Sequence, residues 1–108
     1  MTPEHVLVPL DGSPLAEEAL AHALVTFDCR VTVLNVVTPV DARTSEGGVL
    51  DAGEQRREAA REHAQTLIGR AEKQAADAGR TVETAIETGD PGATIVEYAT
   101  AHDVDHVV

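Results

Sequence analysis

Residues 5–20 read HVLVPLDGSPLAEEAL, and this stretch decides the fold because a strand pattern gives way to a helix pattern within it. Residues 5–9 form a short continuous apolar run, which is typical of a strand buried on both faces. An Asp-Gly turn follows, Ser13 is a good helix N-cap, and Pro14 suits the first helical position. Small and apolar residues then recur at helical spacing and predict one buried face: Ala16, Ala19, Leu20, Ala23 and Leu24.

The rest of the chain repeats this alternation of strand and helix. Residues 38–50 have no periodic pattern and predict a loop, and Gly79 is a natural helix end. The alternating pattern of the third strand predicts a place near a sheet edge. The remaining predicted elements are strands over 31–37, 81–87 and 105–108 and helices over 51–78 and 91–102.

Strands that alternate with helices predict an α/β domain built on an open parallel sheet with right-handed crossovers and helices on both faces. In such sheets, ligands bind beyond the carboxyl ends of the strands, where the strand order reverses. Asp11 ends the first strand and is therefore a candidate site residue. Its carboxylate could accept hydrogen bonds from ribose hydroxyls or help hold a metal near phosphates. Alternatively, it only forms an Asp-Gly turn that prepares the cap at Ser13.

Charge and composition narrow the classes of partner. The 108 residues include 19 Asp and Glu against 8 Lys and Arg, which gives a formal net charge of −11. Such a surface repels phosphate backbones and anionic lipids, so we expect neither nucleic acid nor membrane as a partner. Lys73 is the single lysine, and this balance suggests a halophilic protein whose self-repulsion concentrated salt would screen. The alternative is an ordinary acidic soluble protein. One cysteine, no apolar run of bilayer length and no signal-like start favour a cytoplasmic location.

Other candidate sites are weaker. Residues 11–13 are similar to a haloacid-dehalogenase phosphatase motif, but Pro9 occupies the position that the motif needs as a nucleophilic Asp. His102 and His106 are four apart but straddle a turn between helix and strand, so they do not predict a metal pair. Cys29 is either a reactive thiol beside a cation or a small residue entering a strand. We expect the other histidines at the surface: His5, His22 and His63.

Several segments resemble one protein family, in the same order along essentially the whole chain. Residues 6–13, with the helix start at 16–20, resemble the opening of the universal stress proteins. LNVV at 34–37 resembles that family's second strand, usually read as Leu-His-Val-Val, with Asn35 in place of the common His. The later segments that resemble the family are ETGDP at 87–91, IVEYA at 95–99 and DVDHVV at 103–108.

This resemblance implies a flavodoxin-like or Rossmann-like fold of the adenine nucleotide alpha hydrolase type, with strand order 3-2-1-4 and a fifth strand after these. It also implies ATP binding, with or without Mg²⁺, in one branch of the family. Asp11 matches the Asp that contacts the ribose region, and Pro9 and Leu10 match its neighbours lining that site. Val36 matches the residue beside the adenine, and we expect the departure at Asn35 to leave binding intact.

The family's phosphate-binding motif, Gly-x-x-Gly and a later Gly with Ser or Thr, would follow directly after Val108. We therefore expect residues 1–108 to form a single domain that lacks the family's last helix and strand, which commonly make the homodimer contact. The implied function is a homodimeric module that binds adenine nucleotide in the stress response, with slow ATP hydrolysis at most. The alternative is a family member without nucleotide that acts as a dimerisation and interaction module.

Overall fold

The computed structural model describes residues 3–38 and 50–108, so most of the predicted loop lies outside the described residues. No helix in those ranges is long and apolar enough to cross a membrane. The elements in chain order are β1 (His5–Leu10), α1 (Pro14–Thr26), β2 (Arg30–Val37), α2 (Leu50–Asp77), β3 (Glu83–Thr88), α3 (Pro91–Ala101) and β4 (His106–Val107).

The four strands form one parallel sheet in the order β3-β2-β1-β4, which confirms the predicted order and the edge position of β3. β1 pairs with β2 from His5 opposite Arg30 to Leu10 opposite Asn35. On its other side, β1 pairs with β4. β3 starts two residues later than predicted, at Glu83, because the first residues of the alternating run do not join the ladder.

The connections decide which face of the sheet each helix covers. The chain moves in one direction across the sheet from β1 to β2 to β3 and then returns past β1 to β4. Since each crossover is right-handed, α1 and α2 lie on one face and α3 lies on the other. The core between the sheet and the first two helices consists of Val6, Val8, Leu10, Leu20, Ala23, Leu24, Val31, Val33, Ile68, Ala71 and Ala75.

His5 corrects the prediction that the three isolated histidines lie at the surface. Its side chain is only 4% exposed, whereas His22 and His63 are exposed as predicted. Its Nδ1 lies 3.1 Å from the carbonyl oxygen of His102 and its Nε2 lies 2.7 Å from Oγ1 of Thr32. These partners satisfy the ring inside the protein, which is what burial of a polar group requires. They come from other elements, so the local pattern around His5 could not reveal them.

Candidate functional site

A cavity of about 660 Å³ opens at the carboxyl ends of β1 and β2. It lies where the chain, having added β2 and β3 on one side of β1, returns to add β4 on the other. This is the point at which α/β sheets bind ligands, and the volume lies in the range of small-molecule sites. The polar residues of its lining are Asp11, Ser13, Asn35, Thr38 and His63. The apolar residues are Pro9, Leu10, Leu15, Ala16, Ala19, Leu34, Val36, Val37, Ala60, Leu67, Pro91, Ile95 and Val108.

The turn after β1 carries Asp11 to the edge of this cavity. Gly12 adopts φ +85°, a left-handed conformation that suits glycine and lets the chain reverse from strand to helix. Ser13 caps α1, as predicted, because its side chain accepts a hydrogen bond from the N–H of Ala16 at 3.1 Å. Asp11 Oδ1 in turn accepts a hydrogen bond from the N–H of Ser13 at 2.9 Å. The turn therefore has the structural role considered for it, since Asp11 helps to prepare the cap, and it also places Asp11 in the lining of the cavity.

Contacts with Ser13 also favour the charged form of the Asp11 carboxyl. Contacts from the Ser13 side chain, then from the Ser13 N–H, hold the pKa of Asp11 below its ordinary value, because they favour the charged form. A carboxylate has about four acceptor positions on its two oxygens. The carboxylate of Asp11 thus retains acceptor capacity for hydroxyl groups of a bound molecule.

The other three candidate residues, Pro9, Leu10 and Val36, form an apolar wall on the strand side of the cavity. Leu10 is buried, while Pro9 and Val36 are half-buried and present part of their surface to the opening. All four predicted site residues therefore line one cavity, although they come from two strands and the turn after one of them. Their contact with a nucleotide remains a prediction.

Among the cavity residues that were not assigned to the site from the sequence, Asn35 and His63 make contacts with the turn that carries Asp11. Asn35 lies in β2, and its Nδ2 donates a hydrogen bond to the carbonyl oxygen of Leu10 at 2.7 Å. His63 lies in α2, and its Nε2 is 3.7 Å from where a Cβ on Gly12 would stand, so the ring covers the turn. The sequence signal for Asn35 was a lone amide side chain in an apolar strand. The signal for His63 was its position four residues before Leu67, on the same face of α2, because Leu67 also packs against Gly12.

The weaker candidates lie elsewhere in the fold. His102 caps the carboxyl end of α3 and His106 begins β4, so the two are not on one helix face. Within residues 3–38 and 50–108, no group of three or more His, Cys, Asp or Glu side chains is arranged to hold a metal ion. Cys29 is half-buried directly before β2, at the opposite end of the sheet from the cavity.

Comparisons with known proteins place this geometry in a family. The sequence profile of the universal stress protein family matches residues 3–108. Universal stress protein UspA from Lactobacillus plantarum superposes with a TM-score of 0.83 at 25% identity, covering 100% of this chain and 77% of that one. A universal stress protein family member from Burkholderia pseudomallei gives 0.76 at 21% identity, covering 96% and 78%.

A universal stress protein family protein from Arabidopsis thaliana, solved with AMP bound, gives a TM-score of 0.72 at 18% identity, covering 97% of this chain and 74% of that one. At this identity, as for the Burkholderia protein, the likeness concerns the fold alone. No curated protein matches the chain significantly. The family profile, however, spans nearly every residue, and its match agrees with the strand order and with the segments noted in the sequence. The chain belongs to the universal stress protein family.

Proposed function

We propose that this chain binds an adenine nucleotide, ATP in particular, in the cavity at the carboxyl ends of β1 and β2. The observation that carries the proposal is that Pro9, Leu10, Asp11 and Val36 all line this one cavity. The AMP bound to the Arabidopsis protein supports the choice of an adenine nucleotide. The role proposed with it is that of a homodimeric regulatory module in the cytoplasm during stress.

The lining divides into parts that suit the parts of a nucleotide. Apolar side chains, with Val36 and Pro9 among them, suit the faces of the adenine base, which gain from leaving water. Asp11, held as a carboxylate by Ser13, suits the ribose hydroxyls, which are donors. Asp11 is the only carboxylate of the described lining, so Mg²⁺ would enter bound to the phosphates rather than to a protein cage.

The first test removes the proposed ribose contact. Asp11→Ala should weaken binding of AMP and of ATP by up to ~10-fold, since a lost hydrogen bond costs about 0.5–1.5 kcal/mol. Asp28→Ala is the matched control, because it removes the same charge from an exposed position at the opposite end of the sheet. Titration calorimetry on the three proteins measures the affinities. Equal affinity of the Asp11→Ala and Asp28→Ala variants for AMP would show that the ribose lies elsewhere.

The second test places a charge in the apolar wall. Val36→Glu should reduce AMP and ATP affinity more than Asp11→Ala does, because a carboxylate would have to lose water against the base and would repel the phosphates. Val36→Thr keeps the branched shape and should bind nearly as the parent does. Calorimetry, with circular dichroism to verify the fold, separates the two variants. If Val36→Glu retains the parent's affinity, the base does not lie against β2.

A further inference from the structure

Asn35 is the one buried polar side chain in the described lining of the cavity. It is 6% exposed, and the other buried polar residues of the described chain, His5 and Thr32, hydrogen-bond to each other away from the cavity. The Asn35 amide lies 2.7 Å from the carbonyl oxygen of Leu10. A carbonyl oxygen can only accept, so the atom facing it is the Nδ2 donor, and this fixes the orientation of the amide.

This bond lies where the backbone pairing of β1 ends. Leu10 opposite Asn35 is the last pair in the register between β1 and β2, and the turn begins with the next residue. The Leu10 carbonyl and the N–H of Asp11 belong to one planar peptide unit. A donor that fixes the carbonyl therefore also fixes the direction in which the chain enters the turn.

We propose that Asn35 is a positioning residue for the site: by holding the Leu10 carbonyl, it sets the peptide plane from which Asp11 presents its carboxylate to the cavity. Gly12 adopts a positive φ, so the chain turns away directly after Asp11, and the Leu10–Asp11 peptide unit is the connection between the carboxylate and β1. The contact of Asp11 with a ligand rests on the proposed function, whereas the positioning of Asp11 by Asn35 does not.

The pKa of the Asp11 carboxyl is sensitive to the position of that carboxyl. Its pKa is lowered by the Ser13 side chain and N–H, and these contacts exist only while the turn keeps its geometry. Asn35→Leu keeps the branched shape and the number of side-chain heavy atoms but removes the donor, so the Leu10 carbonyl loses its partner. We expect the pKa of Asp11 in this variant to rise toward the ordinary Asp value, as followed by the carbon-13 shift of its carboxyl group.

Two variants distinguish positioning from a general loss of stability. Thr32→Val removes a buried hydroxyl from the same strand, outside the cavity, and should leave the pKa of Asp11 unchanged. Asn35→His restores an N–H donor and should bring the pKa back toward the parent's. If Asn35→Leu does not fold, Asn35→Ala takes its place, because the smaller side chain lets water reach the carbonyl. A folded Asn35→Leu or Asn35→Ala variant with the parent's Asp11 pKa would overturn the proposal.

A ligand measurement tests the same proposal through its consequence. Asn35→Leu should weaken AMP binding by up to ~10-fold, as Asp11→Ala does. In the double variant, the two effects should not add, because Asn35 acts through Asp11. Additive losses would instead mean that Asn35 contacts the ligand independently, and this would overturn the positioning role. If the parent does not bind AMP, the proposed function fails, while the pKa measurement still decides the role of Asn35.

Discussion

Two turns of this molecule, residues 11–14 and 89–91, perform the same local task in different surroundings. Each follows a parallel strand, caps a helix with a polar side chain and places a proline at the start of the helix. Ser13 accepts the N–H of Ala16, and Asp90 accepts that of Ala93, both at 3.1 Å. Helix capping therefore accounts for the polar cap residue in each turn.

The first turn differs from the second in carrying an additional carboxylate. Asp11 precedes the cap residue and lines the cavity, whereas the second turn contributes only Pro91 to the lining. Both turns have a polar cap, so the additional carboxylate at Asp11, which also faces the cavity, is the side chain that sets the first turn apart as a place for a ligand. Three experiments compare the glycines of the two turns, their caps, and the contribution of the additional carboxylate to stability.

The largest loss of stability should come from replacing the glycine of each turn by alanine. Gly89→Ala should lower the free energy of unfolding by about 1–3 kcal/mol, because φ is +153° and the new Cβ would lie 2.6 Å from Oγ1 of Thr94. Gly12→Ala should cost about 1–2 kcal/mol, since its Cβ meets Leu67 and His63 only at ordinary contact distances. Urea unfolding measures both. Adding Thr94→Ala should relieve part of the Gly89→Ala loss, and the absence of relief would contradict the steric cause.

The Ser13 and Asp90 caps should contribute equally to the free energy of unfolding, and removing either cap should leave ligand binding unchanged. Ser13→Ala and Asp90→Ala should each cost about 1 kcal/mol in the free energy of unfolding, because each leaves one helix N–H without its partner. Thermal and urea unfolding provide the values. If Ser13→Ala instead lost AMP affinity at unchanged stability, Ser13 rather than Asp11 would be the ligand contact.

The smallest effect should be on the pH dependence of stability. Since the folded state lowers the pKa of Asp11, its carboxylate stabilises the fold above the ordinary Asp pKa of about 3.9. That contribution is lost as the pH falls through the lower, folded value. Urea unfolding at a series of pH values, from neutral to the acid limit of folding, gives the free energy of unfolding as a function of pH. The slope of this curve should differ between the parent and Asp11→Asn only below about pH 4. Identical slopes would mean that Asp11 makes no such contacts in solution.

The sequence was sufficient wherever a feature depends on neighbours along the chain. The cap at Ser13, the buried face around Leu20 and the alternation of elements all follow from local spacing, and they were predicted correctly. The grouping of Asp11 and Val36 in one cavity was also predictable, because the carboxyl ends of parallel strands meet at one edge.

Features that depend on contact between distant segments were not predictable. Asn35 reaches the Leu10 carbonyl only because the register places those two residues opposite each other, and no local pattern specifies a register. The burial of His5 requires a carbonyl from residue 102 and a hydroxyl from residue 32. The approach of His63 to Gly12 depends likewise on how α2 packs against the turn.

The position of β1 inside the sheet has a consequence for the order of folding. Its pairing with β2 joins residues 25 apart, whereas Asp105 accepts hydrogen bonds from the N–H groups of Glu4 and His5 across 101 and 100 residues. Because closing a longer loop costs more entropy, we expect β1, α1 and β2 to associate before β4 arrives. Until then, the apolar strand leading to Asp11 is an unprotected edge that can pair with another chain. Asp105, by accepting hydrogen bonds from the first N–H of the strand and from the residue before it, helps to end that exposure.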